Sequence, residues 1–328
     1  MTQKIITIML GLIIVGGLVW YIDKNYVKRS SSPAGNINQS ENPDSGGSSK
    51  EISNKLVFVT YGAATEIWEV DTQNKTKKLY TDSDEALKIK KLSNLSETSE
   101  VLAIVSKGDS GSGKLVAINL NDAKQKILKD LFPVTVNLSI SPDGEWFTYT
   151  KFSNVEDQYG YTLFLEQKNG SKIEEVVNSS SEIIFPGWDN SSKTIYYGKT
   201  SGTNTEIIGY NIESKKSKTI FSTDQIVDWI SASLSDKMIL SERKIGENNA
   251  GEIDSIDIDG QNLKTMVKFN GGKAAYAYLS NNQSLAYLIA QYNNKIDART
   301  SGQIYLLNTK TSVKSAVRRG VQILGWRG

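Results

Sequence analysis

The chain has 328 residues, 38% hydrophobic and 23% charged, with 38 basic against 36 acidic side chains. That is the composition of a globular protein long enough for one large domain or two small ones. It contains no cysteine and no histidine, which excludes disulfides, thiolate metal sites and cysteine nucleophiles and removes the commonest general base and transition-metal ligand.

The first element is an uncharged apolar run at residues 5–22 (IITIMLGLIIVGGLVWYI), beginning at Ile5 and ending at Ile22. As a helix it is about 27 Å long, which matches a bilayer core, and Trp20 sits near its boundary as an interfacial anchor does. A cleaved signal peptide is the competing reading, but the run is long for one and no small-x-small site follows it. We therefore expect residues 1–29 to form an uncleaved membrane anchor with its flanks. Lys4 precedes the run while Lys24, Lys28 and Arg29 follow it, a weak positive-inside signal for a cytoplasmic C-terminus. Against it stands the layout, a short tail before a long polar domain, and long domains translocate largely regardless of charge. The expectation is an extracytoplasmic domain.

Residues 30–50 (SSSPAGNINQSENPDSGGSSK) carry almost no apolar side chain, so they cannot bury enough surface to fold and read as a disordered tether. A random coil of that length spans on the order of 25 Å. The remaining domain, residues 51–328, has 33 basic and 33 acidic side chains. Zero net charge argues against nucleic acid as a partner.

In this domain short runs of Val, Ile, Leu, Tyr and Phe recur every ten residues or so between Gly, Asn, Asp and Ser, with no long helical period, so the class is all-β. The first motif met along it, GDSGSGKL at 108–115, places Gly108, Gly113 and Lys114 at phosphate-loop spacing. The position after the lysine is Leu115, where a Ser or Thr should bind magnesium, and LVAINL continues as a strand rather than a helix. We read it as a hairpin tip.

A longer period organises the rest. The phrase LSISPDGEWFTYT at 138–150 puts a turn between two strands, and weaker copies begin at Leu95, Pro186, Ser233 and Leu279. Aligning Ser96, Ser141, Asp189, Ser235 and Ser280 gives steps of 45, 48, 46 and 45 residues. Each step holds four strand-like runs, the signature of a β-propeller blade. The chain ends VQILGWRG, in which Gly325 and Trp326 match Gly187 and Trp188. A sixth unit therefore starts there and takes its other three strands from the first runs of the domain, LVFVTY, TEIWEVD and KTKKLY. One blade is built from both termini, five are continuous, and no open edge is left between first and last. The expected architecture is an all-β, six-bladed β-propeller behind a transmembrane helix and a disordered linker.

On S-P-D-G-E-W-F at 141–147, its four degraded copies and the D-G-Q-N turn within DIDGQNLKT at 257–265, residues 51–328 resemble the TolB-like six-bladed propellers built from WD40-like (PD40) repeats. The resemblance implies a ring whose face and channel bind other proteins, often outside the cytoplasm, without chemistry. Similar propellers cap prolyl oligopeptidases, but this chain has no room for the accompanying hydrolase domain.

Asp254, Asp257 and Asp259 in EIDSIDIDG are the only metal candidates. With Gly260 at the sixth position of an EF-hand register the twelfth is Met266, so the bidentate glutamate is missing, and a strand followed by an Asp-Gly turn is the preferred reading. No cofactor is expected. Trp68, Trp146, Trp188, Trp229 and Trp326 fall within or beside strands; packing between blades is preferred to a ligand cage for such large apolar groups. The links between second and third strands (KGDSGSGK, FSNVEDQYGY, KTSGTNTE, RKIGENNAGE and QYNNKIDARTSG) exceed what a hairpin needs. All emerge on one face, and they carry Tyr159, Tyr161, Arg243, Tyr292 and Arg299, residue types favoured at interfaces. These five are the expected partner-binding residues. The expected function is a membrane-tethered, non-enzymatic scaffold for a protein or cell-envelope polymer. The alternatives are a small-ligand or metal sensor and a glycan hydrolase working through carboxylates alone, with Glu156, Asp157, Glu247, Glu252 and Asp297 as the loop acids available.

Overall fold

The computed structural model describes residues 55–61, 64–71, 73–82, 88–108, 111–133, 135, 137–155, 158–232, 236–244, 250–270, 272–280, 283–291 and 302–327. The expected membrane segment and linker lie outside them; among the described residues no helix is long and apolar enough to cross a membrane.

The strands form six antiparallel four-stranded sheets. Blade 1 joins β1 (Lys55–Tyr61), β2 (Thr65–Val70) and β3 (Thr76–Thr81) to the last strand, β24 (Gln322–Arg327), in the order β24-β1-β2-β3. Blade 2 is β4 (Lys88–Leu92), β5 (Glu100–Ser106), β6 (Ser112–Asn119) and β7 (Gln125–Pro133). Blade 3 is β8 (Asn137–Ile140), β9 (Trp146–Val155), β10 (Gln158–Gln167) and β11 (Ile173–Ser179). Blade 4 is β12 (Glu182–Trp188), β13 (Thr194–Ser201), β14 (Asn204–Asn211) and β15 (Lys216–Thr223). Blade 5 is β16 (Ile226–Ala232), β17 (Lys237–Arg243), β18 (Gly251–Asp257) and β19 (Lys264–Phe269). Blade 6 is β20 (Gly272–Leu279), β21 (Ser284–Gln291), β22 (Gly302–Asn308) and β23 (Lys314–Gly320). The expected propeller, closed by both termini, is what the chain forms.

Why middle strands such as VLAIVS read as unbroken apolar runs follows from the packing. Side chains along a strand alternate between its two faces, and here each face meets a different blade. Val57 and Val59 pack toward Ile89, Val101 and Ala103 of blade 2, whereas Leu56 and Phe58 pack toward Ala286, Leu288 and Ile304 of blade 6. Equivalent clusters fill the other four gaps, so the core is a ring of six inter-blade layers. The outermost strands bury little and are rich in lysine, as in TKKLYT of β3 and KSKTIFST of β15; charge there discourages pairing with a further strand.

Polar links between blades follow the repeat length. Asn94 Nδ2 donates to Ile140 O at 2.9 Å while its Oδ1 accepts from Ser139 Oγ and Ile140 N, both at 2.8 Å. Asn137 Nδ2 donates to Ile183 O at 3.1 Å and Trp326 Nε1 to Tyr278 O at 3.1 Å. Each joins positions 45 to 48 residues apart.

One register in the repeat needs correction. The turn between first and second strands closes with the fourth residue's N–H donating to the first residue's carbonyl: Ser99 to Ser96, Gly144 to Ser141, Ser192 to Asp189 and Gln283 to Ser280. That fourth residue has positive φ in every copy, and in blade 5 it is Asp236 (φ 54°). Asp236 is thus the register equivalent of Ser99, Gly144, Ser192 and Gln283, so the sequence repeat is counted from residue 233 rather than from Ser235. Two serines, two residues apart in SLS, made the alignment ambiguous, and the left-handed residue decides it.

The third-to-fourth turn of blade 5 packs against blade 4. Gly260 has φ 89°, and a Cβ there would lie 2.0 Å from Ile220 O in blade 4. Gly260→Ala is expected to destabilise the domain by about 2 kcal/mol or more, measured by urea denaturation. Gly170→Ala, at φ 76° with no atom within 4 Å of the added carbon, should cost only the backbone part, about 1 kcal/mol. Equal losses for the two would refute the close approach.

Candidate functional site

Antiparallel connection puts the first-to-second and third-to-fourth turns on one face of the ring and the second-to-third links on the other. Several of these links are shorter than the sequence implies. β9 and β10 stay paired as far as Val155↔Gln158, and β13 and β14 as far as Ser201↔Asn204. FSNVEDQYGY and KTSGTNTE are thus ladder with a two-residue connection, because a polar or aromatic strand end pairs its backbone as readily as an apolar one. The phosphate-loop spacing dissolves likewise: Lys114 lies in β6 opposite Val105 and pairs with Asp130 at 3.3 Å.

In blade 3 the paired strands outrun their neighbours. β8 pairs β9 only over residues 147–150, and β11 pairs β10 only over residues 161–166, so the end of the β9–β10 pair is a free two-stranded ribbon. It carries an aromatic patch. Phe152 stacks on Tyr159 at 5.8 Å and meets Tyr161 at 5.2 Å, with Phe152 48% and Tyr159 58% exposed. Burial, with Glu182 nearby, raises the Tyr161 hydroxyl above the usual tyrosine value. Arg243 is held within blade 5: its Nε and Nη2 donate to the two carboxylate oxygens of Asp228 at 2.7 and 3.2 Å. Tyr292 and Arg299 lie outside the described residues, as do Glu156, Asp157, Glu247 and Asp297.

The three aspartates do not converge. Asp254 is buried in β18, Asp257 accepts from Lys237 at 2.5 Å and Asn262 at 2.6 Å, and Asp259 caps the N–H of Gln261 at 3.0 Å. They form a strand and its turn, and among the described residues no group of three acidic side chains is placed to hold a metal ion. Glu252 is held by Lys268 at 3.0 Å and Thr265 at 3.1 Å.

A cavity opens on the opposite face, at the short-turn end of the channel, with about 730 Å³ of space, part of it open to solvent. Its walls include Trp188 of β12, Trp229 of β16, Tyr278 of β20 and Trp326 of β24, drawn from four blades. Bulges in the inner strands re-aim these side chains: the ladder slips between Ile184 and Gly187, Val227 and Trp229, and Ala275 and Tyr278. Tyr276, inside the last bulge, has φ 57°, a strained conformation for a bulky residue. Packing holds it there, its ring 4.7 Å from that of Trp229. Burial holds the Tyr278 hydroxyl protonated well above the usual tyrosine range.

The polar side chains of the wall are mostly spent on the fold: Asn94 and Ser139 on the link between blades 2 and 3, and Ser231 Oγ on Ala277 O at 2.5 Å. Trp188 differs. It is 4% exposed and its indole N–H meets no acceptor among the described residues. Packing is indeed what the tryptophans do, Trp188 and Trp229 belonging to inter-blade clusters, yet these two and Trp326 also line the cavity. The sequence signal was the Gly-Trp pair at 187–188 and 325–326, which marked the repeat and not a site.

No protein-family model and no curated protein sequence matches the chain. Solved structures do. TolB from Acinetobacter baumannii superposes with a TM-score of 0.62 at 13% identity over 84% of this chain and 66% of that one, just under two thirds of its length. A TolB candidate from Agrobacterium tumefaciens gives 0.56 at 12% identity over 83% and 92%. A chain of the nidogen/laminin complex gives 0.57 at 8% identity over 84% and 97%. The domain is a TolB-like six-bladed β-propeller in fold.

Proposed function

We propose that this protein is a non-enzymatic binding scaffold, tethered to a membrane through residues 5–22 and the linker at 30–50, that presents the second-to-third-strand face of its propeller to a protein partner outside the cytoplasm. The observation that carries the reading is the β9–β10 ribbon, which leaves the sheet with Phe152 and Tyr159 exposed and stacked on each other. Exposed aromatic groups on a pre-ordered hairpin supply contact area at little cost in ordering entropy. Absence of histidine and cysteine from the whole sequence supports binding over acid–base or nucleophilic chemistry.

The test is in-cell photo-crosslinking from Tyr159, with a probe at exposed Ser214, on the opposite face in the β14–β15 turn, as control. A discrete protein adduct from Tyr159 alone is the expected result, and its identity reports the compartment. Adducts of equal yield from both positions, or none from Tyr159, would refute the reading; a glycan adduct would replace the protein partner with an envelope polymer.

A further inference from the structure

The geometry points to a second site: the aromatic cavity at the short-turn end of the channel binds an organic cation, an alkylammonium group, between the rings of Trp188, Trp229, Tyr278 and Trp326. This stands independently of the ribbon on the other face.

Three features select a cation. First, three indoles and one phenol line a single cavity with no lysine or arginine among the lining residues, and ring faces attract desolvated cations, tryptophan most strongly. Second, among the described residues the only charged one in the lining is Glu97. It lies in the first turn of blade 2, where its N–H donates to Pro142 O at 2.8 Å, and its carboxylate has no cationic partner among the described residues. Third, the first-to-second turns around the mouth carry further acids. The same turn holds Asp143 in blade 3, Asp189 in blade 4 and Asp236 in blade 5, and none of these pairs with Lys or Arg among the described residues. Three lysines of this face are engaged with other acids: Lys168 with Glu100 at 2.8 Å, Lys193 with Glu213 at 2.9 Å and Lys237 with Asp257 at 2.5 Å. A mouth lined by one sign of charge raises the local concentration of the opposite ion.

The occupant that fits these rings and this carboxylate is therefore an alkylammonium head. A trimethylammonium of the choline type and the protonated amine of a lysine side chain share this chemistry.

Full-length protein in detergent is titrated with choline and with n-butylammonium, followed by tryptophan fluorescence and calorimetry, against 3,3-dimethylbutan-1-ol, the uncharged isostere of choline. We expect saturable binding of at least one cation. The isostere should bind about tenfold more weakly or worse, and Glu97→Gln, an exposed substitution, should weaken the cation severalfold. Choline alone would assign a quaternary head group, and n-butylammonium alone a primary amine. Binding of the isostere as tight as that of choline would overturn the proposal, since the cavity would then be merely apolar. So would the absence of binding by both cations at about 10 mM, or indifference to Glu97→Gln. Trp326→Phe, which keeps a ring while removing the indole, should weaken the preferred cation with the thermal midpoint within a few degrees of the parent.

Discussion

Ending the chain at Val321 is expected to abolish cooperative folding of the propeller. β24 is the inner strand of blade 1 and pairs with β1 from Lys55↔Arg327 to Val59↔Gln322. It buries Ile323 and Leu324 completely, in the blade 6/blade 1 and blade 1/blade 2 layers respectively. Each such side chain contributes about 1.5–3 kcal/mol on burial, and their loss uncovers Leu56 and Phe58 on one side and Leu92 on the other. The ties made by side chains go as well: Gln322 Nε2 to Leu92 O at 3.2 Å, and Arg327 to Glu69 at 3.3 Å. The sum rivals the whole stability of a typical domain, about 5–15 kcal/mol. Urea unfolding of the truncated chain, monitored by near-ultraviolet circular dichroism, should show no sigmoidal transition, and the protein should bind a hydrophobic dye. Leu324→Ala, which keeps the ladder, should retain a transition shifted by about 2–5 kcal/mol. A truncated protein that unfolds like the parent would mean that the ring does not need its closing strand.

Between pH 4.5 and 7 the domain should lose stability as pH rises, and Glu242→Gln should remove most of that loss. Glu242 is 2% exposed in β17, opposite Glu252 and diagonal to buried Asp254. Burial, then the charges of Asp254, Glu252 and Asp224, push its carboxyl from 4.5 up to about 7, against one favourable hydrogen bond from Thr223. Asp254 is raised too, again chiefly by burial. Lys268 and Lys244 act mainly on Glu252, whose carboxyl is lowered. In this window the folded state therefore binds more protons than the unfolded one, so ∂ΔG/∂pH is negative and stability present at pH 4.5 is lost by pH 7. The shift corresponds to about 3 kcal/mol. Denaturation at pH 4.5, 6 and 8 should show the parent weakening by an amount of that order, while Glu242→Gln, neutral at every pH, runs nearly flat and exceeds the parent at pH 8. A parent that strengthens over this range would refute the assignment. Carboxyls lowered in the fold, such as Glu174 and Glu66, act below pH 4.5 and do not mask it.

The two faces of the ring were unequally legible. The long-link face stood out because length and residue type were read as loop, whereas two of the links are paired strand. The Phe152, Tyr159 and Tyr161 patch is there, but on paired strands, and Arg243 is taken by Asp228, a partner 15 residues away whose approach no local pattern announces. The cavity face was read as scaffold because its residues were the repeat motif itself. Trp188 and Trp326 were recognised as equivalent, but equivalence around a ring says nothing about which side chains share a hole in the middle.

By itself the sequence determined the class, the period, the blade count and the closure by both ends. Those follow from the two-residue alternation of strands, from turn chemistry recurring at fixed spacing and from an incomplete unit at each end, three strands at one and a single strand at the other, all properties of short segments. Only the tertiary structure decided which aromatic rings converge, which acids keep a cation and which turns are ladder. Trp188, Trp229, Tyr278 and Trp326 span 138 residues of chain and meet because six blades close a circle whose inner strands bulge. That convergence arises from packing over the whole ring, and no segment of the chain encodes it alone.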